Sequence, residues 1–157
     1  MKMEDELNCV FCNIIAGELE AVRVHEDGLT LAFMDQRQGN PGHVLVVPKE
    51  HHPDIYSLPE TTGEAVMRSV IRMAGAVRDA FDCPGLNIWQ SNGECAGQEV
   101  PHVHFHVHPR QPNDGLLKAY QHRPDTPPPE TLREYANRIR AFLDPIRNNP
   151  PRGAEDD

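Results

Sequence analysis

The sequence predicts an α+β fold, a mainly antiparallel sheet with one long helix and a C-terminal helix. Three observations predict it. Between residues 101 and 110 four histidines, His102, His104, His106 and His108, alternate with Val103, Phe105 and Val107, and a period of two marks a β-strand with unlike faces. Further upstream, Val66, Val70, Ile71, Ala74, Val77 and Phe81 recur at helical spacing. Nearer the start, Glu26-Asp27-Gly28 separates two short strand-like runs, and Asp-Gly is a strong hairpin signal.

Composition bounds the rest. At 157 residues the chain can enclose one sizeable core and is too short for two ordinary domains. A formal net charge of −9 argues against a general affinity for nucleic acid, though not against one nucleotide in a locally positive pocket. No apolar run approaches the roughly 18 residues of a membrane span and no secretory pattern is evident, so the chain reads as cytoplasmic, without membrane partners. Four cysteines in that setting are expected to be free or metal-bound rather than paired in disulfides.

The elements follow in order. Residues 1–7 are polar and expected to fray. Cys9-x-x-Cys12 comes next, a spacing shared by zinc and redox sites. Redox chemistry of the thioredoxin kind wants a buried strand ahead of the pair, and none precedes it. Zinc needs two more ligands, of which the histidine strand can supply one. Residues 21–25 and 29–35 form the first hairpin, the second strand ending in Asp35, and 38–42 is a loop. Residues 43–49, with Val44-Leu45-Val46-Val47, make a third strand. Ser57-Leu58-Pro59-Glu60 offers a capping box for the long helix, whose apolar stripe is core, and Asp82-Cys83-Pro84-Gly85 stops it. A fourth strand over 86–90 leads into a polar loop, 91–98, whose backbone N–H groups and amides can border an anion. Residues 111–129 read as an extended connector. Thr131-Leu132-Arg133-Glu134 caps a last helix over 131–143, with Leu132, Tyr135, Ala136, Ile139 and Leu143 in one stripe. That stripe must bury on its own domain or on a second subunit, and the chain beyond Pro145 reads as disordered.

Spacing limits what the histidine row can do. Same-face neighbours on a strand are about 7 Å apart, so His102 and His106 are roughly 13–14 Å apart. One tetrahedral metal with bonds near ~2 Å cannot easily gather all four. Two adjacent imidazoles can, however, converge on a phosphate, one attacking and one donating a hydrogen bond.

The run Gly97-Gln98-Glu99-Val100-Pro101-His102-Val103-His104-Phe105-His106-Val107 resembles the motif of the histidine triad (HIT) nucleotide hydrolases and transferases. In that family three histidines alternate with apolar residues after a Gly-Gln pair. Pro41-Gly42-His43-Val44-Leu45-Val46-Val47-Pro48-Lys49-Glu50-His51 and Cys9-Val10-Phe11-Cys12-Asn13-Ile14-Ile15-Ala16-Gly17-Glu18 extend the resemblance, which covers roughly residues 8 to 111. It is to the zinc-bearing, prokaryotic-type members. His108 departs from the pattern, standing where an apolar residue is usual.

The resemblance implies a HIT-like fold over residues 8–111, followed by a connector and helix over 112–145 and a tail over 146–157. It implies a structural Zn2+ held by Cys9, Cys12, His51 and His102, with His52 a rival to His51. It implies a nucleoside pocket with Phe11, Ile14 and Phe33 as apolar walls and Asp35 accepting from ribose hydroxyls; taken alone, Asp35 could equally cap a turn, and the apolar three could be ordinary core. Gln98 is ranked above Glu99 beside the phosphate, because a glutamate there would repel polyanions. Relatives carry a carboxamide seven residues before that glutamine. Here the position is Ser91, and an asparagine, Asn92, comes one residue later, so either is a candidate for the phosphate.

The activity implied is attack by His104 on the α-phosphorus of a nucleotide conjugate, a dinucleoside polyphosphate or a nucleoside phosphoramidate, through a covalent His-nucleotidyl intermediate, with His106 donating to a phosphate oxygen. The partner implied is a purine nucleoside monophosphate or its conjugate. Leaving-group protonation falls to His102 or His106, and no catalytic metal is expected. Two rival readings are a non-catalytic nucleotide-binding module and a metal-dependent enzyme using His104, His106 and His108. The relatives also imply a symmetric homodimer, with Met67 and Met73 lying off the main helical stripe.

Overall fold

The computed structural model describes residues 8–116 and 124–143. The expectations for residues 1–7, for part of the connector and for the tail lie outside the described residues. The chain divides into two units, residues 1–116 and 117–157.

The first unit opens on helix α1, Val10–Ala16, which Gly17 ends in a left-handed turn at φ 80°. Strands β1, Arg23–Glu26, and β2, Thr30–Met34, form the predicted antiparallel hairpin. The turn between them works differently from the expectation. Gly28 does not adopt a positive φ. Instead the Asp27 carboxylate accepts from the backbone N–H groups of Leu29 and Thr30, at 2.9 and 2.7 Å, so a side chain rather than a glycine reverses the chain.

Strand β3, Val44–Pro48, precedes the 22-residue helix α2, Glu60–Phe81. Strands β4, Gly85–Trp89, and β5, Phe105–Arg110, complete an antiparallel sheet in the order β1-β2-β3-β5-β4. The ladder of β5 thus begins three residues later than His102. His102 and His104 lie on the approach to the strand, not within it.

The expected capping box does not form. Ser57 belongs to a short 3-10 turn, Ile55–Ser57, where the Asp54 carboxylate accepts its N–H, and α2 starts after Pro59 with no side-chain cap. Its stop is as expected, with Asp82 in the left-handed region at φ 45°. Ile71 is 65% exposed and leaves the core stripe, which Met73 enters at 6%.

Residue parity explains how the sheet is used. On one face Ala32, Val44, Val46 and Val107 pack against Val66, Val70, Met73 and Val77 of α2. On the other, Leu31, Phe33, Leu45 and Val47 pack with Cys9, Phe11 and Ile14 of the α1 region. Strands β2 and β3 are therefore apolar on both sides, which is why 44–47 reads as an unbroken hydrophobic run. The register pairs Leu45 with His106 and Val44 with Val107, so the imidazole takes the α1 face and the valine the α2 face. Polar ties cross to α2 at Ser69, whose hydroxyl lies 2.7 Å from that of Thr30 and donates to Asp27 Oδ2 at 3.4 Å.

The second unit carries helix α3, Pro129–Arg140. It starts two residues before the predicted cap, with Pro128 at the N-cap and no capping side chain, so Thr131 falls inside the helix. Proline at the first helical position presets φ and lacks an N–H that would have no partner there anyway. No residue of α3 is buried. Among the described residues no helix is long and apolar enough to cross a membrane.

Candidate active site and metal centre

Beside α1, the α1 face of the sheet opens into a cavity of about 1000 Å³. Phe11, Ile14, Phe33 and Leu45 line its apolar part, while Asp35, His43, Trp89, Glu99, His104 and His106 line the polar part. Phe11 and Phe33 meet edge to face at 5.4 Å, and Phe11 also abuts the His104 ring at 5.2 Å.

Each imidazole has one nitrogen fixed by its neighbours. His104 Nδ1 lies 2.7 Å from the His102 carbonyl. A carbonyl only accepts, so Nδ1 carries the proton and Nε2 is left with the lone pair. His43 Nδ1 in turn faces the Arg37 carbonyl at 3.1 Å, and its Nε2 is 2.9 Å from His106 Nδ1. With both rings neutral, His43 Nε2 accepts from His106 Nδ1–H. The indole of Trp89, register partner of His106, stacks on that ring at 4.2 Å and 5°. Burial is the main reason that His43 and His104 sit below the ordinary histidine range. Burial, reinforced by His104 and His43, brings His106 down to about 3.

His43 and Trp89 are the site residues that sequence reasoning missed. A signal existed: His43 is two residues before Leu45 on the strand, and Trp89 is the chain's one tryptophan. Both depend on register across three strands, which local pattern does not carry. Gly42, which precedes His43, has φ 103°, and an added Cβ there would lie 2.5 Å from the Phe81 ring.

The polar loop is used differently from the expectation. The Gln98 amide oxygen accepts from Gly93 N–H at 2.7 Å, and its NH2 donates to the carbonyls of Pro53 and Val100. Asn92 accepts from Ile55 N–H at 2.8 Å and exchanges hydrogen bonds with Gln90. These amides fasten the loop to residues 53–55, and neither Gln98, Ser91 nor Asn92 lines the cavity, whereas Glu99 does. The Asp35 carboxylate accepts from Arg37 N–H at 2.8 Å and approaches His43 Nδ1 at 3.6 Å. His108 lies beside His43, at 4.5 Å between rings, and outside the cavity lining.

A second group forms where α1 meets the ends of β3 and the histidine segment. Cys9, Cys12, His51 and His102 place one ligand atom each within 4.8 Å of one another. His102, fully buried, has Nε2 2.9 Å from the Pro48 carbonyl, which leaves the Nδ1 lone pair to face Cys9 Sγ at 3.5 Å and Cys12 Sγ at 3.6 Å. His51 Nδ1 is 3.3 Å from Cys12 Sγ. A tetrahedral zinc with ordinary bond lengths has sulfur–nitrogen edges of about 3.5 Å, so the cage fits that ion. His52 turns instead towards Glu50, 3.4 Å away. Asp35, His43 and His106 also lie within 4.8 Å, but the acid addresses Nδ1 of His43 and His106 addresses Nε2. In this arrangement the His43 ring bridges the acid and the second imidazole.

Comparison with known proteins agrees with this layout. The family model described as HIT domain matches residues 16–113. A crystal structure of a HIT family member from Bacillus subtilis superposes with a TM-score of 0.82 at 38% identity, over 87% of this chain and 98% of that one. The adenosine 5'-monophosphoramidase hnt1 of Schizosaccharomyces pombe is 34% identical over 123 residues, 77% of this chain and 89% of that protein. A zinc-bound histidine triad family protein from Mycobacterium smegmatis is 36% identical with a TM-score of 0.67, over 76% of this chain and 86% of that one.

Proposed function

Because this chain belongs to the HIT domain family, we propose that it is a nucleotidyl hydrolase or transferase acting at the α-phosphate of a nucleotide conjugate. The observation that carries the reading is the 2.7 Å contact from His104 Nδ1 to the His102 carbonyl, which leaves Nε2 unprotonated on a ring lining the cavity. A neutral imidazole is a competent nucleophile near pH 7. Nε2 of His104 bonds to phosphorus as the bond to the leaving group breaks, and the leaving group departs with the electron pair and takes up a proton. Water then attacks the phosphorus, releasing the nucleoside monophosphate and free His104.

His106 is the donor in this scheme. When neutral it gives its one N–H to His43, so donation from Nε2 requires one added proton on the His43–His106 pair. A phosphate oxygen beside Nε2 supplies the charge that favours that proton, and Asp35 supports it from the far side of His43. His102, with one nitrogen on Pro48 and the other facing the two sulfurs, is withdrawn from this task. The phosphoramidase activity in the name of the yeast relative supports the reaction class. The test is to mix the protein with a labelled adenosine phosphoramidate, quench at alkaline pH and map the adduct by mass. A label on His104 is expected; a turning-over enzyme with no adduct at His104 overturns the covalent route.

Zinc held by Cys9, Cys12, His51 and His102 belongs to the same proposal, as a structural ion clamping α1 to the sheet. So does a symmetric homodimer. Met67 and Ile71 on α2 are 43% and 65% exposed, and Ile88 on the edge strand β4 is 47% exposed, apolar side chains that a twofold contact would bury. Sedimentation should give twice the 17.7 kDa chain mass, and a species at the chain mass defeats the dimer.

A further inference from the structure

Among the charged side chains lining the cavity, Arg37 and Glu99 face each other and have no part in the scheme above. Arg37 projects from the loop after β2, and Glu99 from the segment ahead of the histidines. Arg37 Nη1 donates to Glu99 Oε1 at 3.2 Å, and Nη2 makes a still closer contact with Oε2, so the guanidinium forks onto the whole carboxylate. The side chains remain 77% and 64% exposed, so the pair contributes little to holding the fold. Its position is more telling than its strength. Both residues line the cavity with His104 and His106, and the Glu99 carboxylate interacts electrostatically with both imidazoles.

The other arginine in that lining is already committed. Arg23 donates to the carbonyls of Ile14 and Ile15 and to Glu26. Arg37 is thus the cavity cation whose partner is an exposed, replaceable side chain. An anionic group leaving the phosphorus can recruit Arg37 only by displacing Glu99, which then stands as a like charge beside it. A cationic group meets the opposite situation, since Glu99 can accept from it while Arg37 swings to the phosphate.

We propose that Arg37 and Glu99 form a charge-reading clasp that sets the enzyme's preference for the charge of the leaving group. This rests on the nucleotidyl-transfer reading and adds to it a pair of specificity-determining residues. In the parent protein the Glu99 carboxylate lines the cavity with His104 and His106 and disfavours polyanions. Anionic leaving groups therefore react through the fraction of molecules in which the clasp is open.

The test compares kcat/KM for three adenosine 5'-phosphoramidates that differ only in the distal charge of the amine: neutral, ammonium and carboxylate. Normalising to the neutral conjugate removes general effects on folding or chemistry. Glu99→Gln should raise the anionic-to-cationic ratio on the order of tenfold, and Arg37→Gln should lower it by a similar factor. The exchanged pair, Arg37→Glu with Glu99→Arg, restores a salt bridge of opposite polarity. A clasp inverts the ratio in that variant, while a merely structural bridge leaves it at the parent value. Ratios unchanged within about twofold across all variants, with the neutral conjugate still cleaved, overturn the clasp alone. Absence of turnover on all three conjugates by the parent overturns the clasp and the nucleotidyl reading together.

Discussion

His102 and His104 are two residues apart, both buried, and both give one ring N–H to a backbone carbonyl, yet they serve different regions. In His102 the Pro48 carbonyl takes Nε2–H, and Nδ1 is left to face two sulfurs. In His104 the His102 carbonyl takes Nδ1–H, and Nε2 is left for the cavity. One segment thus turns one lone pair to the cysteine–histidine cluster and another to the cavity. The choice of nitrogen, made by which carbonyl stands beside the ring, separates the two uses more sharply than the residue type does.

The sharpest way to break this comparison is to remove one side of it. His104→Asn should lower kcat by at least about 10³-fold while nucleotide affinity, metal content and melting temperature stay near the parent values, because covalent catalysis is lost and the pocket is kept. Retention of most activity would sink the mechanism. His43→Ala should cost less, on the order of 10- to 100-fold in kcat, because the attacking nitrogen survives while His106 loses the ring that fixes its tautomer. That loss should be accompanied by an altered acid limb of the pH–rate profile, a readout that simple misfolding would not move. An unchanged profile would remove His43 from the proton path.

The fate of each histidine was legible in the sequence to different degrees. Alternation of apolar and imidazole side chains over 102–108 shows that the two sets face opposite ways, because period two needs no tertiary information. The convergence of Cys9 and Cys12 with His51 and His102 was legible only through the family motif, and of His51 and His52 it is the His51 ring that faces Cys12. Trp89 and His43 were not legible, since their places depend on β4 and β3 both registering against β5. The Gln98 and Asn92 amides, expected beside the phosphate, are engaged within the protein for another reason. Amides suit an anion and a loop carbonyl equally well, and here the carbonyls and N–H groups of residues 53–55 and 93 claim them. The capping boxes failed because Asp54 captured Ser57 and because Pro129 opens α3 two residues before Thr131.

On the metal side, Cys9→Ser or Cys12→Ser should release zinc and lower the melting temperature by at least about 5 °C, since a closed structural site contributes folding free energy. Chemistry in the surviving folded fraction should be reduced far less than in His104→Asn. Purified protein without zinc, together with serine variants that melt like the parent, would reduce Cys9 and Cys12 to ordinary core cysteines. It would leave the carbonyl-directed split between His102 and His104 intact.

The smallest effect separates the two regions by acid. His106 faces His43, His104, His108, Trp89 and Asp35, and burial with its imidazole neighbours lowers its pKa from the ordinary 6.5 to about 3, Asp35 opposing. In the unfolded chain the same ring takes up a proton near 6.5. Above that pH both states are neutral and stability does not change on this account. Below it the unfolded chain binds a proton that the native ring refuses, so stability is lost progressively as pH falls from 6.5 towards about 3. For one group the slope is at most about 1.4 kcal/mol per pH unit, and between about pH 6.5 and 5 it is little confused with the carboxylates, which titrate lower. Zinc held by Cys9, Cys12, His51 and His102 would also be acid-sensitive, because its ligands must be deprotonated, so the measurement is best made after chelation. Urea midpoints of the chelated protein should fall between pH 7 and 5, and His106→Gln should flatten part of that fall, His43, His102, His104 and His108 keeping the remainder. If His106→Gln leaves the fall as steep as before, the acid sensitivity belongs to some other group, and the cavity imidazole is free to take its proton in the native state.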